Sequence, residues 1–242
     1  QWVLDKANVT QLTKNKIIFG AAALIILAIV GVKQLRSQEM GVELHGSYVS
    51  DYIRRGVARA DDSAQVRINA TIPVDVKFLD VTNLYGKFLL NRPLDSSGTT
   101  RDVYVGTVFG TDLVQVDLGA RHLSVFSEDN SSELYGGLKL DVFGNPGVYV
   151  CKGSSPDFTS VELRVQEAIK WGILPEKVTT NVKGRVGNRD APVDTTFYEA
   201  GVEVGYQLTD NTVVYVGGTY GGTTTDVYDD VVAYTVGVRS AF

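Results

Sequence analysis

Along most of the chain from Val42 onward, apolar residues recur at every second position, in blocks of about 8 to 12 residues separated by turn-rich clusters. Period two is the repeat of a β-strand whose two faces meet different surroundings. Val66, Ile68, Ala70 and Ile72 oppose Arg67, Asn69 and Thr71, and Val74, Val76 and Phe78 then oppose Asp75 and Lys77. Val103, Val105 and Phe109 mark another block, and Val114, Val116, Leu118 and Ala120 oppose Gln115, Asp117, Gly119 and Arg121. Leu134, Gly136, Leu138, Leu140 and Val142 face away from Lys139 and Asp141, as do Val161, Leu163 and Val165 from Glu162, Arg164 and Gln166. Val178, Thr180, Val182 and Val186 alternate with Thr179, Asn181, Lys183 and Arg185. The strongest block sets Tyr198, Ala200, Val202, Val204, Tyr206 and Leu208 against Glu199, Gly201, Glu203, Gly205 and Gln207. The last runs through Val232, Tyr234, Val236, Val238 and Ser240 to Phe242, with Arg239 on its other face.

Turn-rich clusters separate these blocks at Asp61-Asp62-Ser63, 95–98, 127–132, 144–147, 153–156, 188–192, 210–211 and 221–230. Counting between them predicts about twelve strands, an even number, as in single-chain bacterial membrane barrels. Ser160 to Trp171 could also coil as a helix capped by Ser160, but its first half alternates, so a strand is expected.

Residues 17–32 carry no charge and are flanked by Lys14, Lys16, Lys33 and Arg36. The run is a little short for a spanning helix and long for a signal-peptide core. Its basic flank favours a signal sequence, and the lack of an Ala-x-Ala site keeps a retained anchor open. The expected division is therefore an N-terminal segment over 1–40, carrying a short hydrophobic helix, and an all-β antiparallel barrel over 41–242. Nothing in the first 13 residues assigns them a function.

Alternation alone does not separate a soluble sandwich from a membrane barrel. The export-like segment, the Val-, Leu- and Tyr-rich faces and the terminal Phe favour the barrel in lipid, where closure pairs every backbone group. The alternating final strand ending in Phe242 is similar to the C-terminal signal that barrel-assembly machinery reads in outer-membrane barrels, with Tyr234, Val236, Val238 and Phe242 in place and Ser240 departing from it.

Composition narrows the function. A net charge of −5 with no basic stretch argues against nucleic acid as a partner. The single Cys151 allows no intrachain disulfide and has no companion for a thiolate metal site. Only His45 and His122 titrate near neutrality; His45 shares a face with Glu43 and Ser47, and His122 shares one with Val116 and Leu118. Neither makes a persuasive catalytic group, and no enzyme activity is expected. The acidic stretches 127–130 and 226–230 lack the spacing of a calcium loop, and the glycine pairs 217–218 and 221–222 lack the Lys-Ser/Thr of a phosphate cradle. No metal or cofactor is expected.

Tyr48-Val49-Ser50-Asp51-Tyr52-Ile53-Arg54-Arg55-Gly56 resembles the opening V-S-D-Y-x-x-R-G of the TorF-like family of porins. Glu133 to Leu138 and Ser155 to Phe158 are similar to that family's middle strands and the turn between them, so the resemblance spans about residues 42–170. It implies an outer-membrane barrel and leaves the solute open. The expected function is a porin-like passive channel for small polar solutes; the alternative is a non-conducting structural or surface-interaction barrel of an envelope or virion.

The expected lumen-lining charges are Glu43, Asp51, Asp75, Asp117, Asp141, Glu162, Glu199 and Glu203, against Arg67, Lys77, Arg121, Lys139, Arg164, Lys183, Arg185 and Arg239. Eight of each sign predict a nearly neutral lumen. Glu199 and Glu203 are expected to pair with Lys183 and Arg185, and the acidic excess to lie in loops such as 127–133 and 226–230.

Overall fold

The computed structural model describes residues 40–55, 57–76, 79, 81–94, 98–125, 130–154, 157–169, 175–191, 193–225 and 229–242. The hydrophobic run 17–32 and the whole segment before the barrel lie outside them. The strands are β1 (Gly41–Arg54), β2 (Val57–Pro73), β3 (Val81–Pro93), β4 (Thr100–Gly110), β5 (Val114–Val125), β6 (Ser131–Leu140), β7 (Gly147–Ser154), β8 (Asp157–Ile169), β9 (Val178–Ala191), β10 (Val193–Thr209), β11 (Thr212–Thr223) and β12 (Val231–Ala241). Each pairs antiparallel with its sequence neighbours, and β12 pairs with β1 to close the barrel. Closure is completed by Val42 and Phe242, which exchange backbone hydrogen bonds of 3.2 and 2.8 Å, so both ends of the barrel domain lie at one rim.

The alternation sorts the side chains as a membrane barrel requires. Exposed large apolar residues occupy one face of successive strands: Val66 and Ile68 on β2, Leu134 and Leu138 on β6, Val161 and Leu163 on β8, Val202 and Val204 on β10, Val236 and Val238 on β12. On β10 this band runs from Tyr198 to Tyr206, about 20 Å along the barrel axis at about 3.3 Å per residue and a tilt of about 40°. The opposite face carries the charged and hydrogen-bonding groups.

Four sequence expectations about strand limits are corrected. Asp61-Asp62-Ser63 is not a turn but part of β2: the β1–β2 turn lies between the paired residues Arg54 and Val57, and the acidic stretch opposes a register shift between Asp51 and Ile53. Asp62 and Arg55 adopt left-handed backbone angles, φ 29° and 50°, which take up the irregularity. Of the block Val74 to Phe78, Val74 to Val76 belong to the connection that follows β2, which ends at Pro73, and Lys77 and Phe78 lie outside the described residues. Likewise β6 ends at Leu140, leaving Asp141 and Val142 in the turn to β7, while β9 continues past Asn188 to Ala191. Ser160 to Ile169 lies within strand β8.

Six interior aromatic rings lie across glycines of the adjacent strand: Tyr85 over Gly106, Tyr135 over Gly119, Tyr149 over Gly137, Phe158 over Gly153, Phe197 over Gly187 and Tyr215 over Gly237. A Cβ at Gly106, Gly187 or Gly237 would stand 2.5, 2.6 and 2.6 Å from the opposing ring or its hydroxyl. Glycine is required there by close approach, not by a turn.

Candidate functional site

The barrel interior divides into a dry half and a wet half. At the rim away from the termini, the β1–β2 turn sends Arg55 across the interior to the opposite wall. Its Nε donates to Glu162 on β8 at 2.8 Å, and its Nη1 and Nη2 donate to Glu133 on β6 at 3.1 and 3.0 Å. In a ring of twelve strands β6 and β8 flank the position opposite β1, so this side chain spans the bore. The guanidinium also lies 5.0 Å from the centre of the Phe158 ring. Burial works against the charge of Arg55, but Glu133 and Glu162 outweigh it and hold its pKa above that of an ordinary arginine.

A continuous ionic layer surrounds that contact. Glu162, whose side chain is fully buried, also accepts from Arg164 Nη2 at 2.7 Å, and Arg185 Nη1 lies 3.7 Å from it. Arg121 donates through Nε to Asp102 at 2.7 Å and approaches Glu133 at 3.7 Å. Ser63, Asn91, Cys151, Ser160, Phe158 and Phe197 are buried in the same half. Buried charges on this scale persist only when paired and hydrogen-bonded, which this layer achieves.

Toward the termini the interior opens to water. Arg185 pairs with Glu199 directly across the β9–β10 register at 2.5 Å, as the spacing suggested. Glu203 instead pairs with Arg239 two strands away at 2.6 Å and with Asn181 at 3.3 Å; Arg239 reaches across to β10 beside Gly205, where a Cβ would stand 3.6 Å from its Nη2. Lys183 passes over Gly201, where a Cβ would stand 2.6 Å from its Cε, and it makes no ion pair among the described residues. Asp117 accepts from Tyr85 at 2.6 Å, and Tyr85 in turn meets the hydroxyl of Tyr135. His45 lies 3.2 Å from Glu43 and 3.5 Å from Asn69, and among the described residues no hydroxyl contacts its ring. His122 Nδ1 lies 2.9 Å from Ser132 Oγ, and Cys151 is buried beside Glu162.

Several expected lining residues therefore sit elsewhere. Asp75 and Asp141 are exposed in turns, outside the strands whose alternation had placed them inward, and Lys77 lies outside the described residues. Glu133, expected in an acidic loop, is buried in the ionic layer. Asp102, Arg55, Lys87 and Arg189 join the interior unforeseen. Among the residues whose side chains are described, ten cations (Arg55, Arg67, Lys87, Arg121, Lys139, Arg164, Lys183, Arg185, Arg189, Arg239) and eight carboxylates (Glu43, Asp51, Asp102, Asp117, Glu133, Glu162, Glu199, Glu203) lie on the inward-facing positions; Asp61, opposite Asp51 in the β1–β2 register, is outside that count. Among the described residues no three His, Cys, Asp or Glu side chains are grouped as metal ligands.

A closed twelve-strand antiparallel barrel with an apolar exterior and a charged interior has the fold of outer-membrane porin-type barrels. Similar solved structures are the KdgM porin, at 11% identity and TM-score 0.50 over 84% of this chain and 99% of that one, and the NanC porin, at 13% and 0.50 over 82% and 98%. No family model matches the sequence, and no curated protein does.

Proposed function

We propose that the chain is a bacterial outer-membrane barrel acting as a porin-like passive channel for small polar solutes. The observation that carries this reading is the pairing of an apolar, lipid-suited exterior with an interior wetted from the terminal rim. Within that class, the opening motif Val49 to Gly56 is the ground for relating the chain to the TorF-like porins. Tyr234, Val236, Val238 and Phe242 serve in this reading as the signal for barrel-assembly machinery, and residues 1–40 as the export segment. Catalysis is not part of this reading, in which His45 is a polar residue of the lumen hydrogen-bonded with Glu43 and Asn69.

A second reading, a non-conducting structural or surface-interaction barrel, is favoured by the ionic layer that Arg55 completes across the bore. Planar-bilayer recording decides between them. The channel reading expects small, steady conductance steps from the wild type and larger steps from R55A. Silence from both proteins, with folding verified by heat-modifiable gel migration, refutes the channel and leaves the structural reading.

A further inference from the structure

We infer that Arg67, Lys87 and Lys183 form an anion-binding site in the wet half of the barrel, suited to a small solute carrying several carboxylates or phosphates. Arg67 and Lys87 project from neighbouring strands β2 and β3, Arg67 registering with Leu89 and Lys87 with Asn69. Lys183 projects from β9, almost across the ring. Arg67 and Lys87 are thus diagonal neighbours on one wall, and Lys183 stands on the wall across the bore. Each of the three is exposed to solvent.

Like charges held together need a counter-charge, and among the described residues none of these three makes an ion pair within 4.0 Å. Asp117 and Glu43, bonded to neutral groups, keep their charge, but among the described residues neither forms an ion pair with these three. Asp117 accepts from Tyr85, and Glu43 is held by Asn69 and His45. Glu199 and Glu203 are claimed by Arg185 and Arg239. Room for a ligand comes from the wall beside Lys183, where Gly201 and Gly217 present no side chain to the bore. Two flexible ammonium groups and one planar guanidinium suit a multivalent anion with oxygen acceptors rather than a single planar group.

This inference names the solute class for the proposed channel and rests on that reading for its role in transport, but binding can be measured without flux. Citrate is titrated calorimetrically into the detergent-purified full chain, the R67Q/K87Q/K183Q variant, the single K183Q variant, and K152Q, which changes an exposed lysine paired with Asp157. Wild type and K152Q should bind citrate at least tenfold more tightly than the triple variant, with K183Q intermediate. Citrate should also raise the melting temperature of wild type but not of the triple variant. Neutralising the cluster removes repulsion, so the triple variant should fold and melt no lower than wild type without citrate; if it fails to fold, K183Q supplies the comparison. No binding to wild type, or equal binding to wild type and K183Q, overturns the site. Citrate binding by a wild type that neither conducts nor conducts as R55A overturns the channel and leaves the site, whereas conductance without citrate binding does the reverse.

Discussion

Glu162→Gln tests whether the dry half is held by its ionic layer. The native carboxylate is fully buried and receives Arg55 at 2.8 Å, Arg164 at 2.7 Å and Ser160 at 3.2 Å, with Arg185 3.7 Å away. Glutamine keeps the shape but removes the charge, and it turns an NH2 donor toward groups that are themselves donors. Hydrogen bonds to charged groups contribute about 1.5–3 kcal/mol each, and breaking a buried ion pair costs about 3–5 kcal/mol, so E162Q should cost roughly 3–5 kcal/mol. The exposed Lys152–Asp157 pair, at 2.6 Å but largely in solvent, supplies the contrast, and K152A should cost under about 1 kcal/mol. Urea unfolding in detergent, followed by far-UV circular dichroism and gel mobility, measures both. Because each single change breaks the Arg55–Glu162 contact, the cycle R55A, E162Q and R55A/E162Q should show coupling of at least about 1 kcal/mol. An E162Q barrel within 1 kcal/mol of wild type, or additive single changes, would refute the account of the layer.

Four shorter expectations follow from other parts of the barrel. V202R or V204R should impair assembly, since a charge on the lipid face costs about 2–4 kcal/mol near the midplane, while E203Q should assemble normally; equal yields would contradict the assignment of faces. Cysteines at Val202 and Glu203 should differ sharply toward a hydrophilic thiol reagent in liposomes, only the latter reacting. Gly137→Ala should lower the urea midpoint, because its Cβ would meet the Tyr149 ring, and Y149A should relieve the loss; no rescue would count against the contact. Hydrogen bonds from Tyr220 and Tyr198 hold the Asp230 pKa below the ordinary carboxylate range, so the order they give the β11–β12 connection is present at neutral pH and lost as pH falls through that lowered value. Amide exchange at Asp229 and Asp230 should therefore stay slow from pH 7 to pH 5, after correction for intrinsic rates, and quicken only below about pH 4.

The alternation of Val66 to Ile72, Val161 to Val165 and Tyr198 to Leu208 made the strands legible, because lipid on one side and polar groups on the other impose the period directly. Where that contrast fades, so does the signal. On β3 Leu89 turns inward and is buried, on β7 Tyr149 and Cys151 do the same, and β11 carries glycines at 217, 218, 221 and 222, so none of the three stood out. Near the rims acidity misled. Asp61 and Asp62 look like a turn, yet the connection lies between the paired residues Arg54 and Val57. The interior pairing was half visible: Glu199 with Arg185 follows from neighbouring register, whereas Glu203 with Arg239 skips a strand, and Arg55 with Glu133 and Glu162 crosses the bore. No spacing along the chain encodes a contact between opposite walls.

The rings seated over glycines bear on how the sheet finds its alignment. A strand can slip by two residues without exchanging its faces, so lipid sorting alone does not detect such an error. The rings do. Slipped by two, Tyr85 would meet Tyr104 or Val108 in place of Gly106, Tyr135 would meet Asp117 or Arg121, and Phe197 would meet Arg185 or Arg189. Each wrong alignment drives a ring against a side chain where the native one offers empty space. The six ring–glycine pairs all fall between β3 and β12; the joins β12–β1, β1–β2 and β2–β3 have none. One stretch of the wall thus carries its own index marks, while the closing seam between β12 and β1 is aligned by its backbone ladder and by the exchange between Val42 and Phe242 at the rim.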